Sequence, residues 1–132
     1  NFHLPKHFKK DEILDYLNGK YKLAIITNGL LDVQNKRIRQ SKVGHYFEDI
    51  IISDEIKIAK PKAEIFNYTL DKLNFKDKSK VLMIGDSLSS DIKGGINAEI
   101  DTCWLNVDNK TKPKDMNITY IINNILELKE LL

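Results

Sequence analysis

The fold is decided by the stretch Lys80-Val-Leu-Met-Ile-Gly-Asp-Ser-Leu-Ser-Ser-Asp91. Four apolar residues before a glycine predict a short buried strand, and the polar residues that follow predict the start of a helix. Asp86 is therefore expected at the carboxyl end of a strand, which is where open α/β sheets bind their ligands. Asp91 comes about one helical turn later, so the two carboxylates can face the same crevice.

Two interpretations of this carboxylate pair are open from the motif alone. Acidic side chains at a strand end suit a hard divalent cation such as Mg²⁺, which takes oxygen ligands and often shares them with phosphate. Alternatively, Asp86 and Ser87 only cap the helix that follows. Residues elsewhere in the chain have to distinguish a metal site from a helix cap.

The overall composition narrows the classes of protein to which this chain can belong. Its 132 residues are enough for one domain, and a formal charge of +2 with scattered lysines argues against a nucleic-acid partner. No apolar stretch is long enough to span a bilayer, so no membrane partner is expected. Cys103 is the only cysteine, which excludes an internal disulfide and favours a reducing, cytoplasmic location. The first residues do not have the layout of a signal peptide.

Apolar runs alternate with amphipathic segments along the chain. The expected strands are residues 23–26, 50–52, 81–84, 102–105 and 120–122. The expected helices are residues 11–17, 31–41, 61–73, 91–98 and 125–132, and residues 54–61 and 106–117 are expected loops. Strands that alternate with helices pair in parallel through right-handed crossovers. The predicted fold class is therefore α/β, a three-layer, Rossmann-like domain around a parallel sheet.

Two further positions carry polar residues that can bind an anion. Thr27, Asn28 and Gly29 follow the first strand and offer a hydroxyl, an amide and close backbone approach, although Asn-Gly is also common in turns. Lys60 precedes Pro61 at a helix start, where a cation is unfavourable unless it shares a bound phosphate with the helix amides. A solvated surface lysine is the alternative.

The order and identity of these residues resemble the haloacid dehalogenase superfamily of phosphohydrolases. The resemblance extends over about residues 11–105 and is carried by residues 24–29, by Lys60-Pro61 with Ile65-Phe66, and by residues 85–98. Residues 25–29 and 101–104 look closest to the pyrimidine 5′-nucleotidase-like members, which have an inserted helical cap.

The resemblance implies Mg²⁺-dependent hydrolysis of a small phosphate monoester, with nucleotides among the candidate substrates. In that superfamily an aspartate after the first strand attacks phosphorus and forms an aspartyl-phosphate. By resemblance, Thr27 and Asn28 would bind the phosphoryl group, and Lys60 would neutralise charge on the nucleophile and the phosphate. Asp86 would be the catalytic Mg²⁺ ligand, and Asp91 would complete the metal site by orienting a metal-bound water or Lys60.

The Asp-x-Asp motif that supplies the superfamily's nucleophile does not occur in these 132 residues. Its strand normally lies between the strands that end at Thr27 and Asp86, so without it two inner strands have unpaired backbone groups. The chain, residues 1–132, is therefore interpreted as the carboxyl-terminal portion of one core domain, inactive by itself, with residues 1–8 as the tail of a cap connection. The alternative is a non-catalytic or complementing module whose central strand comes from a partner chain or a second copy.

Two positions depart from the superfamily pattern in a way that concerns the backbone. Lys57 and Glu99 stand where glycine is common. At residue 99 glycine usually ends a helix in the left-handed region, which glutamate adopts less easily. Both changes leave the proposed contacting side chains in place.

Overall fold

The computed structural model describes residues 10–28 and 46–132. Its helices and strands, in chain order, are α1 (Lys10–Leu17), β1 (Ala24–Thr27), β2 (Asp49–Ile52), α2 (Ser53–Ile56), α3 (Ala63–Lys72), β3 (Leu82–Gly85), α4 (Lys93–Asn97), β4 (Asp101–Leu105), β5 (Tyr120–Ile122) and α5 (Leu128–Leu131). Three single turns complete the list: Lys78–Lys80, Leu88–Ile92 and Ile125–Glu127. Gly29, the helix expected over residues 31–41 and the cap tail expected over residues 1–8 lie outside the described residues.

The five strands occur where the apolar runs predict them, within one residue at each end, but some helical segments differ. The expected loop at residues 54–61 begins with α2, whose first turn carries Asp54 and Glu55, the charge that a helix amino terminus favours. The helix expected from Asp91 starts earlier, as the π-helical turn Leu88–Ile92. The last expected helix is a 3₁₀ turn followed only by α5.

All strand pairs in the described residues are parallel, as predicted, and they form two sheets. β1 pairs with β2, with Thr27 opposite Ile52. β4 lies between β3 and β5, with Gly85 opposite Trp104. A cavity of about 320 Å³ lies between the two sheets and is lined by residues of both β1 and β3. The described strands therefore form a Rossmann-like parallel arrangement that is open between β1 and β3. This is the position that the superfamily's first strand was expected to occupy.

Helices cover both faces of the strands and complete the three layers. On one face, residues of α1 and α5 pack against β4 and β5 in a buried cluster of Ile13, Leu14, Leu17, Cys103, Ile122 and Leu128. On the other face, α3 packs against β2 and the end of α4 in a cluster of Ile51, Ile65, Phe66, Ala98 and Ile100. Full burial of each large aliphatic side chain contributes about 1.5–3 kcal/mol.

Within the described residues, three non-glycine residues adopt left-handed backbone conformations at helix ends. They are Lys57 after α2, with φ of 59°, Asn74 after α3, with φ of 55°, and Glu99 after α4, with φ of 61°. Such conformations cost more for a residue with a Cβ than for glycine. The expected left-handed helix end at residue 99 is confirmed, so glutamate adopts the conformation that glycine usually supplies.

Candidate active site

The ammonium group of Lys60 joins the two sheets at their carboxyl ends. Its Nζ donates to the main-chain oxygen of Ile26 in β1 at 3.0 Å and to Oδ1 of Asp91, which follows β3, at 2.5 Å. The Lys60 side chain has no exposed surface, and that of Asp91 is 2% exposed. Two buried charges are tolerated only when they pair with each other and make further hydrogen bonds, because both have lost their hydration. Lys60 is therefore not a solvated surface lysine.

The loop that carries Lys60, between α2 and α3, is held by two asparagine side chains. Oδ1 of Asn28 accepts from the Lys60 main-chain N–H at 2.9 Å, and Nδ2 of Asn28 donates to the Lys60 main-chain oxygen at 3.1 Å. Nδ2 of Asn97, at the end of α4, donates to the main-chain oxygen of Pro61 at 2.8 Å. These bonds place the start of α3 against the end of β1.

Asp91 is placed by the turn after β3 and by the absence of a side chain at Gly85. Its Oδ2 accepts a hydrogen bond from the main-chain N–H of Ser87 at 3.3 Å. A Cβ added at Gly85 would lie 2.5 Å from Cβ and Cγ of Asp91, a distance that real atoms do not tolerate. Glycine at residue 85 is therefore required sterically, because only glycine lets the Asp91 carboxylate approach the strand end.

Thr27 is fully buried at the end of β1, between the two residues that bind Lys60. Its Oγ1 has no hydrogen-bond partner among the described residues. A buried hydroxyl without a partner costs about 1–3 kcal/mol, because it has lost its hydration without replacement. Such an atom at a strand end is typical of a binding site in which the ligand completes the hydrogen bonding.

Asp86 lies at the rim of the same edge, with an exposed side chain. Its main-chain oxygen accepts a hydrogen bond from Nε1 of Trp104 at 3.1 Å, so the neighbouring strand fixes the backbone that carries the carboxylate. The capping alternative holds for Ser87, whose side chain accepts from the N–H of Ser90 at 3.3 Å. The capping residue and the exposed carboxylate are therefore different side chains.

The described residues fit part of a Mg²⁺ site. The Asp86 carboxylate is a hard oxygen donor of the kind that Mg²⁺ prefers, and it is exposed. Asp91 is bonded to Lys60, a contact that favours the orienting role over direct ligation. Within residues 10–28 and 46–132, no group of three or more His, Cys, Asp or Glu side chains is close enough to hold a metal ion. The rest of an octahedral shell would have to come from water, phosphate or other residues.

Most residues predicted for the site meet at one edge, while two contacts were not foreseen. Asn28 and Asp91 both bond to Lys60, Thr27 directly precedes Asn28 at the end of β1, and Asp86 follows β3 directly. Trp104 and Asn97 were not predicted to take part. Trp104 could have been considered for the site because it lies in a strand parallel to residues 82–85. Its hydrogen bond to a main-chain oxygen could not be predicted, because sequence does not distinguish such an indole from one that only packs.

The chain belongs to the haloacid dehalogenase-like hydrolase family, whose profile matches residues 5–105. The motif resemblance is thereby confirmed. One relative is pyrimidine 5′-nucleotidase YjjG of Escherichia coli strain K12, which is 40% identical over 120 residues, 91% of this chain and 53% of YjjG. Another is the HAD-hydrolase YfnB of Bacillus subtilis strain 168, which is 38% identical over 121 residues, 92% of this chain and 52% of YfnB.

Solved structures agree with this assignment. A crystal structure of YfnB bound to magnesium superimposes with a TM-score of 0.88 at 38% identity, over 92% of this chain and 54% of YfnB. The chain thus spans about half the length of the relatives it matches. None of the helices in the described part of the chain is long and apolar enough to cross a membrane.

Proposed function

We propose that the protein to which this chain contributes is a Mg²⁺-dependent phosphatase that hydrolyses small phosphate monoesters, nucleotides among them. The 132 residues form the carboxyl-terminal portion of its core domain, and they are inactive alone because the nucleophilic aspartate lies outside them. The family membership and the nucleotidase relative support this assignment. The cytoplasmic location expected from the single cysteine remains part of the proposal.

Each site residue has a role that follows from its chemistry. The Thr27 hydroxyl, with a contribution from Asn28, donates to an oxygen of the phosphoryl group, and the Lys60 ammonium neutralises negative charge that accumulates there. Asp91 holds the Lys60 side chain in place through the contact between Oδ1 and Nζ. Asp86 would hold Mg²⁺, which would supply further positive charge to the phosphoryl oxygens.

The observation that carries the proposal is the unpartnered hydroxyl of Thr27 beside the buried Lys60–Asp91 pair. A fold selected only for stability would avoid a buried hydroxyl without a partner, because valine has nearly the same shape and no desolvation cost. An anion at this position would accept from both the hydroxyl and the neighbouring cation. Anion binding would therefore explain both why an unpartnered hydroxyl is retained at residue 27 and how the site neutralises a phosphate.

The test compares phosphate release from p-nitrophenyl phosphate by this chain and by the same protein extended to include the upstream strand. We expect Mg²⁺-dependent turnover only in the extended form, and we expect Asp86→Ala to abolish it. Turnover by the short chain that survives Asp86→Ala would overturn the assigned roles. The matched pair Thr27→Ser and Thr27→Val isolates the hydroxyl: only the valine variant should lose activity, while both should stay folded.

A second candidate is supported by the cavity between β1 and β3: the chain is a complementing module that receives a strand from a partner or a second copy. The facing strand edges carry main-chain groups suited to strand addition. Solution mass discriminates the two candidates. A stable folded monomer opposes strand exchange between copies, whereas a dimer that dissociates when the upstream strand is supplied in cis supports it.

A further inference from the structure

We infer that Asn28 is a positioning residue whose side-chain amide fixes the main chain of Lys60, and thereby places the Lys60 ammonium beside Thr27. The inference concerns the placement of Lys60 and stands on contacts of the described residues. Its consequence for catalysis rests on the proposed function.

The chemical match between the two residues is complete. A side-chain amide offers an acceptor oxygen and a donor nitrogen side by side in one plane. Asn28 directs its Oδ1 to the N–H of Lys60 and its Nδ2 to the oxygen of the same residue, at 2.9 and 3.1 Å. Aspartate lacks the donor, serine has only one polar atom, and glutamine is one methylene longer. We call these two hydrogen bonds the Asn28 clamp.

The clamp acts at the opposite end of Lys60 from the ion pair. The Lys60 Nζ bonds to the main-chain oxygen of Ile26, two residues before Asn28. Lys60 is therefore attached to the end of β1 through its main chain and through its ammonium group. Thr27, with the unpartnered hydroxyl, lies between the two attachment points. A lysine side chain has four rotatable bonds. If only the ammonium group were fixed, rotation about these bonds would still let the main chain of Lys60 move.

The clamp is compatible with the predicted phosphate contact of Asn28 but does not depend on it. Nδ2 carries two hydrogens, and the clamp uses one of them. The clamp therefore predicts an effect of Asn28 in the absence of any anion. This separates positioning of Lys60 from direct binding of phosphate.

The chain offers a matched control at the same loop. Nδ2 of Asn97 donates to the main-chain oxygen of Pro61 at 2.8 Å, one residue beyond the clamp. Asn97→Ala removes a hydrogen bond of the same type from the same loop and leaves both bonds of the clamp. Lys78 supplies an internal reference, because its Nζ donates to the Ala98 main-chain oxygen at 3.0 Å and bonds to neither residue of the clamp.

The experiment measures acetylation of individual lysine amines by acetic anhydride in the folded 132-residue chain, read by peptide mass spectrometry. In wild type, the buried Lys60 amine should react slowly. In Asn28→Ala, acetylation of Lys60 relative to Lys78 should rise about tenfold or more, as expected for loss of two hydrogen bonds. Asn97→Ala should leave that ratio within about twofold of wild type.

Two results would overturn the inference: an unchanged ratio in a folded Asn28 variant, and an equal rise of the ratio in Asn97→Ala. An equal rise of Lys60 and Lys78 in Asn28→Ala signals global opening of that variant, and Asn28→Ser then decides. Asn28→Ser, which is closer in size and polarity, provides a second variant that should show the same relative increase if Asn28→Ala unfolds.

A second arm uses the extended, active protein and p-nitrophenyl phosphate. Misplacement of a catalytic cation by about 1 Å can cost on the order of 10²-fold in rate. Asn28→Ala should therefore lower kcat by about 10- to 100-fold with little change in KM, whereas a residue that only binds the ground-state phosphate would raise KM. If acetylation responds and the extended protein has no phosphatase activity, the clamp stands and the proposed function fails.

Discussion

β3 and β4 are neighbouring strands of one sheet, but in the described residues β3 pairs with one strand and β4 pairs with two. β4 lies between two strands, and its Thr102, Cys103 and Trp104 are at most 2% exposed. β3 pairs on one side within the described residues, and all four of its residues are half-buried. A continuous apolar run is typical of a strand paired and covered on all sides. β3 thus has the composition of an inner strand in the position of an edge strand.

The largest expected effect compares thiols at two opposed positions of these strands. Residues 84 and 103 are register partners, so a cysteine at each samples the same level of the sheet. We expect Cys103 to react with methyl methanethiosulfonate only through opening of the fold. The thiol of Ile84→Cys, in a Cys103→Ala background, should react at least about 10³-fold faster, because residue 84 lines the cavity and a fold stable by about 5 kcal/mol opens rarely.

Extension of the chain to include the upstream strand sharpens this comparison. The strand should pair with β3 and slow the reaction of Ile84→Cys toward that of Cys103. The single variant Cys103→Ala, without any thiol, measures the background. Equal rates at the two positions in the short chain would show that β3 is as well covered as β4, and the contrast between the strands would be lost.

The next effect concerns the contact that joins β1 to the end of β3. Lys60→Met removes the cation and leaves the Asp91 carboxylate, 2% exposed, without its partner. Breaking a buried ion pair from one side costs about 3–5 kcal/mol, because an uncompensated charge remains in a poorly hydrated position. The free energy of unfolding from urea titration should fall by that amount.

The double variant Lys60→Met with Asp91→Asn provides the control for the ion pair. Since it removes both charges, it should recover more than half of the lost free energy. A loss in Lys60→Met below about 1 kcal/mol would mean that the Lys60–Asp91 contact does not hold the two sheets together at their carboxyl ends.

A third effect concerns the contribution of the buried thiol of β4 to the pH dependence of stability. Burial raises the pKa of the Cys103 thiol from 9.0 to about 11, with a smaller contribution from the negative charge of Glu127. The folded state therefore retains the proton where the unfolded chain loses it. Stability is complete below about pH 9 and decreases as the pH rises toward 11, by about 2–3 kcal/mol in total.

Comparison with Cys103→Ala isolates this contribution, because lysine and tyrosine groups also titrate in the same range. The difference in free energy of unfolding between wild type and variant should shrink as the pH rises from about 9 to about 11. A constant difference across that range would show that the thiol ionises equally in the folded and unfolded chains.

The sequence predicted those parts of the site that depend on the order of residues within short segments. Thr27 and Asp86 each follow an apolar run, and Lys60 precedes a proline at a helix start, so the strand–helix alternation was enough to bring these residues to one edge. The open side of β3 was also expected, since an inner strand needs partners on both sides. These predictions depend on spacing and polarity within short windows.

Other features depend on contacts between distant segments and could not be predicted. The Asn28 side chain was expected to contribute to phosphate binding, and its bonds to the main chain of Lys60, 32 residues away, were not predicted. Trp104 was seen as part of an apolar run, and only the parallel register with β3 directs its indole to the Asp86 oxygen. The early π-helical turn follows from hydrogen bonds to Ser87 that no propensity encodes.

The smallest effect concerns an exposed ion pair between α1 and α5. Nζ of Lys129 in α5 lies 2.6 Å from Oε2 of Glu12 in α1, with side chains 36% and 48% exposed. Although this distance nearly equals that of the Lys60–Asp91 pair, exposed pairs contribute only about 0–1 kcal/mol, because water already solvates both charges. Lys129→Met should change the free energy of unfolding by less than about 0.5 kcal/mol, and added salt should reduce that further. A loss as large as that of Lys60→Met would mean that distance alone, rather than burial at the junction of β1 and β3, determines the strength of an ion pair in this fold.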